Sequence, residues 1–348
     1  MTQAKPLILL IATGGTISMV RNPKTGALQP ADIDTFKDYI SELDNEDIGY
    51  NIIAFNPMVD SSDVNPSMWS KLATIIYNEY NNYDGFVVLH GTDTMAYTAS
   101  ALSFMLENLN KPIVLTGSQL PMGVLRSDAR ENLLTAIEIA SARDEEGDAI
   151  VPEVTVFFED KLFRGNRTTK MSAEHFSAFA SFNYEPLAVA GVHIKYYPHL
   201  VHYSDPDKPL RLHTTICNDV VVLQLFPGIS ETTVRNILSI PNLKAVVLET
   251  FGAGNAPSDQ WLGDALSEAT ERGVIVVNKT QCLAGAVEMG RYATSLNLVS
   301  AGVISGLDIT MEALLTKLMY LLGEKEGNTQ IVKQLLQKSL CGEMTVDE

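Results

Sequence analysis

The amino-acid sequence predicts an α/β protein of two domains, with the larger domain at the amino-terminal end. Short apolar runs rich in β-branched residues alternate with helical stretches, which is typical of buried parallel strands joined by crossover helices. The chain of 348 residues is about two domains long, at roughly 150 residues each. After Gly191 the alternation is interrupted and later resumes. We therefore expect a doubly wound sheet followed by a smaller α/β domain.

Five strands and three helices are predicted in the first domain. The strands are Leu7–Ala12, Ile52–Asn56, Phe86–His90, Ile113–Thr116 and Val154–Phe158. The residues with helical spacing between them are Met68–Tyr80, Thr94–Asn108 and Asp128–Arg143. Strands that alternate with helices in this way indicate a parallel sheet with its helices packed against it.

The second domain repeats this alternation on a smaller scale. Residues 199–213 carry two prolines and no clean periodicity, which indicates an interdomain connection. We predict domain limits of 1–198, a linker at 199–213 and a second α/β domain at 214–348. Its predicted strands are Val220–Phe226, Ala245–Thr250 and Val274–Asn278, and its predicted helices are Thr232–Leu238, Gln260–Arg272 and Thr310–Leu322.

Composition and charge exclude several classes of function. The chain has 25 Lys and Arg against 42 Asp and Glu, a net charge of −17 that would repel the phosphates of a nucleic acid. Its three cysteines are widely spaced and form no CxxC pair, which excludes a disulfide framework and a zinc knuckle. The apolar run Leu7–Ala12 is too short for a membrane span or a signal peptide. We expect a cytoplasmic protein without nucleic-acid or membrane partners.

The carboxyl ends of the predicted strands carry the polar residues from which a ligand site can be built. Open parallel sheets bind ligands just beyond these ends. In the first domain the ends read TGGT (13–16), NPMVDSSD (56–63), HGTDT (90–94) and TGSQLP (116–121). Each is rich in hydroxyl groups, carboxylates or glycine, which predicts a polar cleft for a small molecule.

The segment Thr13–Thr16 leaves its strand through two adjacent glycines. Glycine permits unusual dihedral angles and lets a ligand approach the backbone amides. Neither GxGxxG nor the lysine of a phosphate-binding loop is present, which argues against a nucleotide site. One interpretation is a tight turn whose threonine caps the next helix. The other is a loop that presents a hydroxyl group beside backbone N–H groups, the arrangement that acyl transfer through an oxyanion requires.

Two further strand ends pair hydroxyl groups with carboxylates. The segment Asp60–Asp63 either caps the helix that begins near Met68 or holds the ammonium and carboxylate groups of an amino acid. Asp93 is either an N-cap or, with Thr92, part of a site.

The segment Arg164–Lys170 is the densest group of basic residues. Such a run is usually a solvated, charged surface, but a lysine buried beside a hydroxyl group can serve as a base. The six histidines form no metal-binding pattern; His199 and His202 lie in the predicted linker, and HExxH is absent. We therefore assign no metal and no cofactor.

Taken together, these segments resemble the bacterial-type L-asparaginases, and within that family the cytoplasmic type I branch. The matching stretches are ATGGTIS (12–18), DSSD (60–63), HGTDTMAYTASALSFMLEN (90–108), LFRGNRTTK (162–170), GAGNAP (252–257) and GEMT (342–345). The resemblance extends from about Leu7 to Thr345. In fold class it agrees with a larger N-terminal doubly wound sheet of the flavodoxin-like type and a smaller C-terminal α/β domain.

The resemblance implies an amidohydrolase that converts L-asparagine and water to L-aspartate and ammonia, with minor activity on L-glutamine. A threonine would attack the side-chain amide and form an aspartyl ester, which water then hydrolyses. The implied catalytic residues are Thr16 (the nucleophile), Thr92, Asp93 and Lys170. The implied substrate-binding residues are Asp60, Ser61, Ser62, Thr92 and Asp93. The family also implies a homotetramer built from two tight dimers, and no cofactor.

Two positions depart from the family pattern. Many members carry a tyrosine shortly after TGGT, whereas here Leu28 falls at about that place and no tyrosine occurs between Thr16 and Tyr39. The base that activates the nucleophile therefore has no assignment. Some type I relatives have an arginine where this chain has Glu249, in an effector site for asparagine. We expect allosteric activation of that form to be weakened or absent, because the partner of a substrate carboxylate is lost.

Two alternatives to a free asparaginase stay open. The asparaginase-like subunit of the glutamyl-tRNA(Gln) amidotransferase usually has an additional N-terminal domain, for which the start of TGGT at Thr13 leaves no room. A non-catalytic amino-acid-binding module would also have a polar cleft, but such proteins are commonly exported and no export signal is present.

Overall fold

The computed structural model describes residues 5–21, 25–26, 28–30, 47–291, 293–326 and 328–346. The chain divides into two compact units, Met1–His213 and Thr214–Glu348. The limits inferred from the sequence, 1–198, 199–213 and 214–348, stay a prediction. Residues 199–213 belong to the first unit, where Arg211–Leu212 pairs in antiparallel fashion with Leu106–Glu107.

The first unit contains the larger sheet and three described α-helices. Its strands are β1 (Leu7–Gly14), β2 (Met19–Arg21), β3 (Leu28–Pro30), β4 (Gly49–Val59), β5 (Gly85–Leu89), β6 (Leu106–Glu107), β7 (Ile113–Thr116), β8 (Val154–Phe158), β9 (Lys161–Arg164), β10 (Thr169–Lys170), β11 (Phe179–Ala180), β12 (Ala188–Ala190), β13 (Ile194–Tyr196) and β14 (Arg211–Leu212). Its α-helices are α1 (Pro66–Glu79), α2 (Met95–Met105) and α3 (Ala129–Ser141). Short 3₁₀ turns occupy Thr16–Ser18, Ser61–Asp63, Gly165–Arg167 and Pro198–Leu200.

Eight of these strands form one sheet in the order β13-β12-β9-β8-β7-β5-β1-β4. Strands β4, β1, β5, β7 and β8 are parallel, and β9, β12 and β13 continue the sheet in antiparallel fashion. Numbered along the chain, the five parallel strands have the order 2-1-3-4-5, which is the flavodoxin-like arrangement. The predicted doubly wound sheet is therefore confirmed, and it places the ends of β4, β1, β5 and β7 side by side.

The central strand of this sheet is buried on both faces. Ile8, Leu10 and Ala12 of β1 share a hydrophobic core with the buried face of α3. The alternate residues Leu9 and Ile11 are also fully buried. Because successive side chains of a strand point to opposite faces, both faces of β1 are covered, which explains its continuous apolar sequence.

The second unit is a separate, smaller α/β arrangement. Its strands are β15 (Val220–Gln224), β16 (Ala245–Thr250), β17 (Ile275–Thr280) and β18 (Ile304–Ser305), and its described helices are α4 (Glu231–Leu238), α5 (Gln260–Glu271), α6 (Ala293–Ser300), α7 (Met311–Glu324) and α8 (Thr329–Leu336). The four strands are parallel, in the order β15-β16-β17-β18. The smaller α/β domain is therefore confirmed. The two-residue strand β18 and the eight-residue helices α6 and α8 were not predicted. Among the described helices of the chain, none is long and apolar enough to cross a membrane.

Candidate active site

Three strand-end loops of the first unit meet at closely packed glycines. A methyl group added at Gly15 would lie 2.3 Å from the Cα atom of Gly91. One added at Gly91 would lie 2.5 Å from the Oγ atom of Ser61. The hydroxyl group of Thr94 also donates a hydrogen bond to the carbonyl oxygen of Ser61 at 2.6 Å. The loops after β1, β5 and β4 are therefore in direct contact, as their polar composition predicts.

The loop after β1 presents Thr16 at the edge of this contact. Gly14 and Gly15 have φ angles of 138° and 81°, which favour glycine, and a methyl group at Gly14 would lie 2.1 Å from the carbonyl oxygen of Val59. The hydroxyl group of Thr13 is turned inward and donates to the carbonyl oxygen of Leu89 at 2.9 Å. Gly15, not a threonine, occupies the N-cap position of the 3₁₀ turn that begins at Thr16. Thr16 is half-buried and does not cap that turn.

Lys170 brings the third sequence motif to the loop after β5. Its Nζ atom donates hydrogen bonds to Thr92 Oγ1 at 2.7 Å and to Asp93 Oδ1 at 2.6 Å. The side chain of Lys170 is 17 % exposed and that of Asp93 is 64 % exposed, so the pair lies at the border between protein and solvent. The short pairing of Lys170 with Phe179 in β10 and β11 holds the lysine backbone in place.

Two of the simpler interpretations are therefore wrong. Thr94 occupies the N-cap position of α2, so Asp93 does not cap that helix. The segment Arg164–Lys170 is not a solvated charged surface, because Arg164 is 4 % exposed and Arg167 is 3 % exposed.

A buried ion pair explains the first arginine of this segment. Arg164 Nε donates to Glu153 Oε2 at 2.6 Å, and a second guanidinium nitrogen of Arg164 donates to the carbonyl oxygen of Leu200 at 2.7 Å. Burial lowers the pKa of Arg164, but the hydrogen bond and the charge of Glu153 outweigh that effect and raise it. No local sequence pattern indicates this arrangement, because Glu153 and Leu200 lie in other parts of the chain.

The loop after β4 combines a cap with a solvent-exposed carboxylate. Asp60 is the N-cap of the turn Ser61–Asp63 and accepts hydrogen bonds from the backbone N–H and the hydroxyl group of Ser62, at 2.9 and 2.8 Å. These bonds hold the pKa of the Asp60 carboxyl below its usual value. Helix α1 has its own cap, Asn65, which accepts from the N–H group of Ser67. Asp60 and Ser62 are exposed, and Ser61 is buried against Gly91.

A buried histidine that was not among the predicted site residues supports the loop after β5. One ring nitrogen of His90, Nδ1, lies 2.7 Å from the carbonyl oxygen of Gly91, and the other, Nε2, lies 2.9 Å from Thr98 Oγ1. Thr98 in turn accepts a hydrogen bond from the indole N–H of Trp69 at 3.1 Å. Burial lowers the pKa of His90, and the contact with Gly91 only partly opposes this. These contacts are consistent with a neutral ring whose Nδ1 donates to Gly91 and whose Nε2 accepts from Thr98.

Two further positions, Leu28 and Glu249, depart from the family pattern. The side chain of Leu28 is outside the described part of the chain. Glu249 lies in the second unit, in β16, directly opposite Lys279 of β17. Burial raises the pKa of Glu249, and the charge of Lys279 acts in the opposite direction. Within the described residues, no group of three or more His, Cys, Asp or Glu side chains is arranged to hold a metal ion.

Comparison with known proteins gives the same family along both units. Residues 7–202 match the model described as "Asparaginase, N-terminal", and residues 219–335 match "Glutaminase/Asparaginase C-terminal domain". The chain is 44% identical to L-asparaginase 1 of Escherichia coli K12 over 99% of both proteins. It is 48% identical to the human 60 kDa lysophospholipase over 86% of this chain, and the match spans 51% of that longer protein.

Solved structures agree with the sequence comparisons. The crystal structure of L-asparaginase I from Vibrio cholerae O1 biovar eltor str. N16961 has a TM-score of 0.89 and 44% sequence identity, and the match covers 99% of this chain and 100% of that one. The resemblance inferred from the motifs, including its type I character, is thereby confirmed. The chain belongs to the asparaginase family.

Proposed function

We propose that this protein is an L-asparaginase, which converts L-asparagine and water to L-aspartate and ammonia through a threonine ester. The observation that carries the proposal is the contact of Lys170 with Thr92 and Asp93. The loop of Thr92 and Asp93 packs through Gly91 against Gly15, the residue before Thr16. The full-length similarity to L-asparaginase 1 of E. coli supports the same substrate.

In the proposed first step, the hydroxyl oxygen of Thr16 attacks the side-chain amide carbon of asparagine. The C–N bond breaks, the hydroxyl proton is transferred to the leaving nitrogen, and ammonia departs. Backbone N–H groups of the TGGT and HGTD loops are the proposed donors that stabilise the oxyanion. Water then attacks the ester carbon, which releases aspartate and restores the Thr16 hydroxyl group.

The proposed role of Lys170 is proton transfer through Thr92. A lysine that donates to a hydroxyl group at 2.7 Å is within the distance that general acid–base catalysis requires. Asp93 accepts from the same ammonium group, and in this proposal it holds the lysine side chain or binds the substrate ammonium. The base that removes the proton of Thr16 has no assignment.

Asp60, Ser61 and Ser62 are proposed to bind the α-amino and α-carboxylate groups of the substrate. The Asp60 carboxyl is a suitable partner for an ammonium group, because its lowered pKa keeps it ionised into the acidic range. The hydroxyl group of Ser62, which donates to Asp60 in this structure, is exposed, and in this proposal it turns to donate to the substrate carboxylate.

The remaining inferences belong to the same proposal. We propose minor activity on L-glutamine, a cytoplasmic location and a homotetramer made of two dimers. The alternatives of an amidotransferase subunit and a non-catalytic binding module have less support, because the L-asparaginase of E. coli matches along the whole chain.

The test is the release of ammonia from L-asparagine by the purified protein, compared between wild type and Thr16→Ala. We expect wild type to turn over and Thr16→Ala to lose the activity while it still binds asparagine, measured by calorimetry. Thr13→Ser is the matched control in the same loop, because Thr13 bonds inward to Leu89 and a serine keeps that hydrogen bond.

Two outcomes would count against the proposal. Residual activity of Thr16→Ala within tenfold of wild type would refute its role as nucleophile. If wild type binds asparagine but releases no ammonia, the protein is a binding module and not an asparaginase.

A further inference from the structure

The fourth strand-end loop, residues 116–121, is held by a side chain that lies outside it. Asp128 occupies the N-cap position of α3, yet its carboxylate makes no capping hydrogen bond. It accepts instead from the backbone N–H groups of Gln119, at 2.9 Å, and of Leu120, at 3.1 Å. The N–H group of Ala129 at the start of the helix bonds to Ser127 Oγ at 3.1 Å. The carboxylate at the N-cap position therefore binds the neighbouring loop.

Asn132, one helical turn further on, binds the same loop from the same helix. Its Nδ2 atom donates to the carbonyl oxygen of Gly117 at 2.9 Å, and its Oδ1 atom accepts from the N–H group of Glu159 at 3.0 Å. The residue is 1 % exposed, so these hydrogen bonds are shielded from water. Asp128 and Asn132 are four positions apart and therefore lie on the same face of α3. Together they hold the backbone of residues 117–120.

The loop so fixed packs directly against the strand end that leads to Thr92. A methyl group added at Gly117 would lie 2.4 Å from the carbonyl oxygen of His90. The N–H group of His90 also donates to the carbonyl oxygen of Thr116 at 2.9 Å. A displacement of the 116–121 loop would therefore be transmitted to the loop that carries Thr92.

The order of strands in the sheet determines which part of a substrate this loop would face. The neighbouring strands β4, β1, β5 and β7 are followed by the loops of Asp60, Thr16, Thr92 and Gly117, respectively. In the proposed function, the α-amino and α-carboxylate groups lie at the β4 end and the reacting carbon lies between the β1 and β5 ends. The 116–121 loop is thus on the opposite flank, toward which a longer side chain would extend.

We propose that Asp128 and Asn132 are positioning residues that hold the 116–121 loop and so set the length of side chain that the active site accepts. The inference rests on the proposed function, because it concerns hydrolysis of an amide at Thr16. Asp128 accepts from two successive N–H groups of the loop, which restricts the position of the loop backbone. The two side chains act through the loop backbone and do not contact the reacting atoms in this proposal.

The experiment compares kcat and KM for L-asparagine and L-glutamine in wild type, Asp128→Ala, Asp128→Asn and Asn132→Ala. We expect kcat/KM for asparagine to fall at least tenfold in Asp128→Ala, and the asparagine-to-glutamine ratio of kcat/KM to fall at least threefold. Asp128→Asn retains one carbonyl acceptor and should be intermediate. A variant that only lost folded protein would lower both rates equally and leave the ratio unchanged.

The matched control is Asp144→Ala, beyond the other end of α3. Its carboxylate also accepts from a backbone N–H group, that of Asp148, at 2.8 Å. This variant should keep the wild-type rates and ratio. Hydrogen exchange provides a readout that is independent of activity: in Asp128→Ala the amides of Gln119 and Leu120 should exchange at least tenfold faster, while the amides of α3 stay protected.

An unchanged substrate ratio in Asp128→Ala would overturn the role in specificity, and unchanged exchange at Gln119 and Leu120 would overturn the loop-holding role itself. If wild type hydrolyses neither amide, the proposed function and the role in hydrolysis fail together. Hydrogen exchange at Gln119 and Leu120 then still shows whether Asp128 holds the loop. Failure of the proposed function is thereby distinguished from failure of the loop-holding role.

Discussion

Lys170 Nζ donates a hydrogen bond to Thr92 Oγ1 at 2.7 Å, although the two residues are 78 positions apart in the chain. The contact joins the end of β5 to the short hairpin of β10 and β11. Lys170, from the basic segment Arg164–Lys170, thus donates to the hydroxyl group of Thr92, in the loop that packs against the TGGT loop. The proposed mechanism depends on this contact.

Replacement of Lys170 by methionine should reduce kcat by about 10²–10⁴-fold, the range typical of a lost general acid or base. The methionine keeps much of the length of the side chain but removes the hydrogen bonds to Thr92 and Asp93. Steady-state kinetics of ammonia release, with circular dichroism as a check of folding, measure this effect. Lys161→Met is the control, because the side chain of Lys161 is 43 % exposed and pairs only with Asp160 among the described ion pairs. A loss of less than tenfold in Lys170→Met would contradict a role for Lys170 in proton transfer.

The buried imidazole of His90 should make the stability of the protein depend on pH. Burial lowers the pKa of His90 from its usual 6.5, so the unfolded chain binds a proton at a higher pH than the folded chain does. The stability that the neutral ring contributes is therefore present above about pH 6.5 and is lost as the pH falls, by up to ~1.4 kcal/mol per pH unit. Urea denaturation between pH 5 and 8 measures the slope.

The control for this prediction is His90→Asn, whose amide nitrogen can replace Nδ1 as the donor to Gly91 but does not titrate. Its free energy of unfolding should be lower than that of wild type at pH 8 and should fall less steeply toward pH 5. Equal slopes for the two proteins would show that His90 does not cause the acid sensitivity.

In the second unit, a buried ion pair attaches the carboxyl-terminal GEMT segment to α7. Lys317 Nζ lies 2.6 Å from Glu343 Oε1, and the side chains are 1 % and 0 % exposed. Glu343 also accepts from the N–H groups of Leu340 and Cys341. Burial raises the pKa of Glu343, but the charge and hydrogen bond of Lys317, together with the backbone N–H donors, outweigh it and lower the pKa.

Removal of one partner of this pair should destabilise the protein strongly. Lys317→Met leaves the Glu343 carboxylate buried without its counter-charge, and we expect a loss of about 3–5 kcal/mol in the free energy of unfolding. The double variant Lys317→Met with Glu343→Gln should recover part of that loss, because no unpaired charge is left buried. Lys208→Met, which breaks an exposed pair with Asp205, should have no measurable effect. Chemical denaturation of the four proteins is the measurement, and a loss below 1 kcal/mol for Lys317→Met would contradict the expectation.

The sequence was informative where a local pattern determines the structure. The predicted limits of β7, β8 and β16 agree with the structure, because fully buried parallel strands are continuous apolar runs with polar ends. Strands β9, β12 and β13 were missed. Charged residues lie at both ends of β9 and interrupt β13, and the apolar residues of β12, AVA, are too few to distinguish a strand from a loop. These strands extend the sheet through pairings that only the folded chain provides.

The candidate site shows the same limit. The glycine and hydroxyl pattern of the strand ends indicated which loops meet, because topology places those ends together. It gave no information on Arg164, whose partner Glu153 is brought near by the β8–β9 hairpin. It also gave none on Asp128, since an aspartate before a helix predicts a cap and its use by a neighbouring loop depends on tertiary structure.

Glu249 supports a prediction about the rate law. It lies opposite Lys279 in the pairing of β16 with β17, and Lys279 is 8 % exposed. Some type I relatives have an arginine at the position of Glu249, where it binds the carboxylate of an effector asparagine. In this chain the position carries a carboxylate, which lies next to Lys279. A second asparagine would meet a like charge there, so we expect the rate to depend hyperbolically on asparagine concentration, with a Hill coefficient near 1. Initial rates over a hundredfold range of asparagine concentration on both sides of KM test this.

The variant Glu249→Gln removes the charge and separates the effect of repulsion from that of the missing arginine. If repulsion alone blocks activation, the rate of this variant should depend sigmoidally on asparagine concentration. Clear sigmoidicity of the wild type would show that activation persists without the arginine and would overturn the prediction.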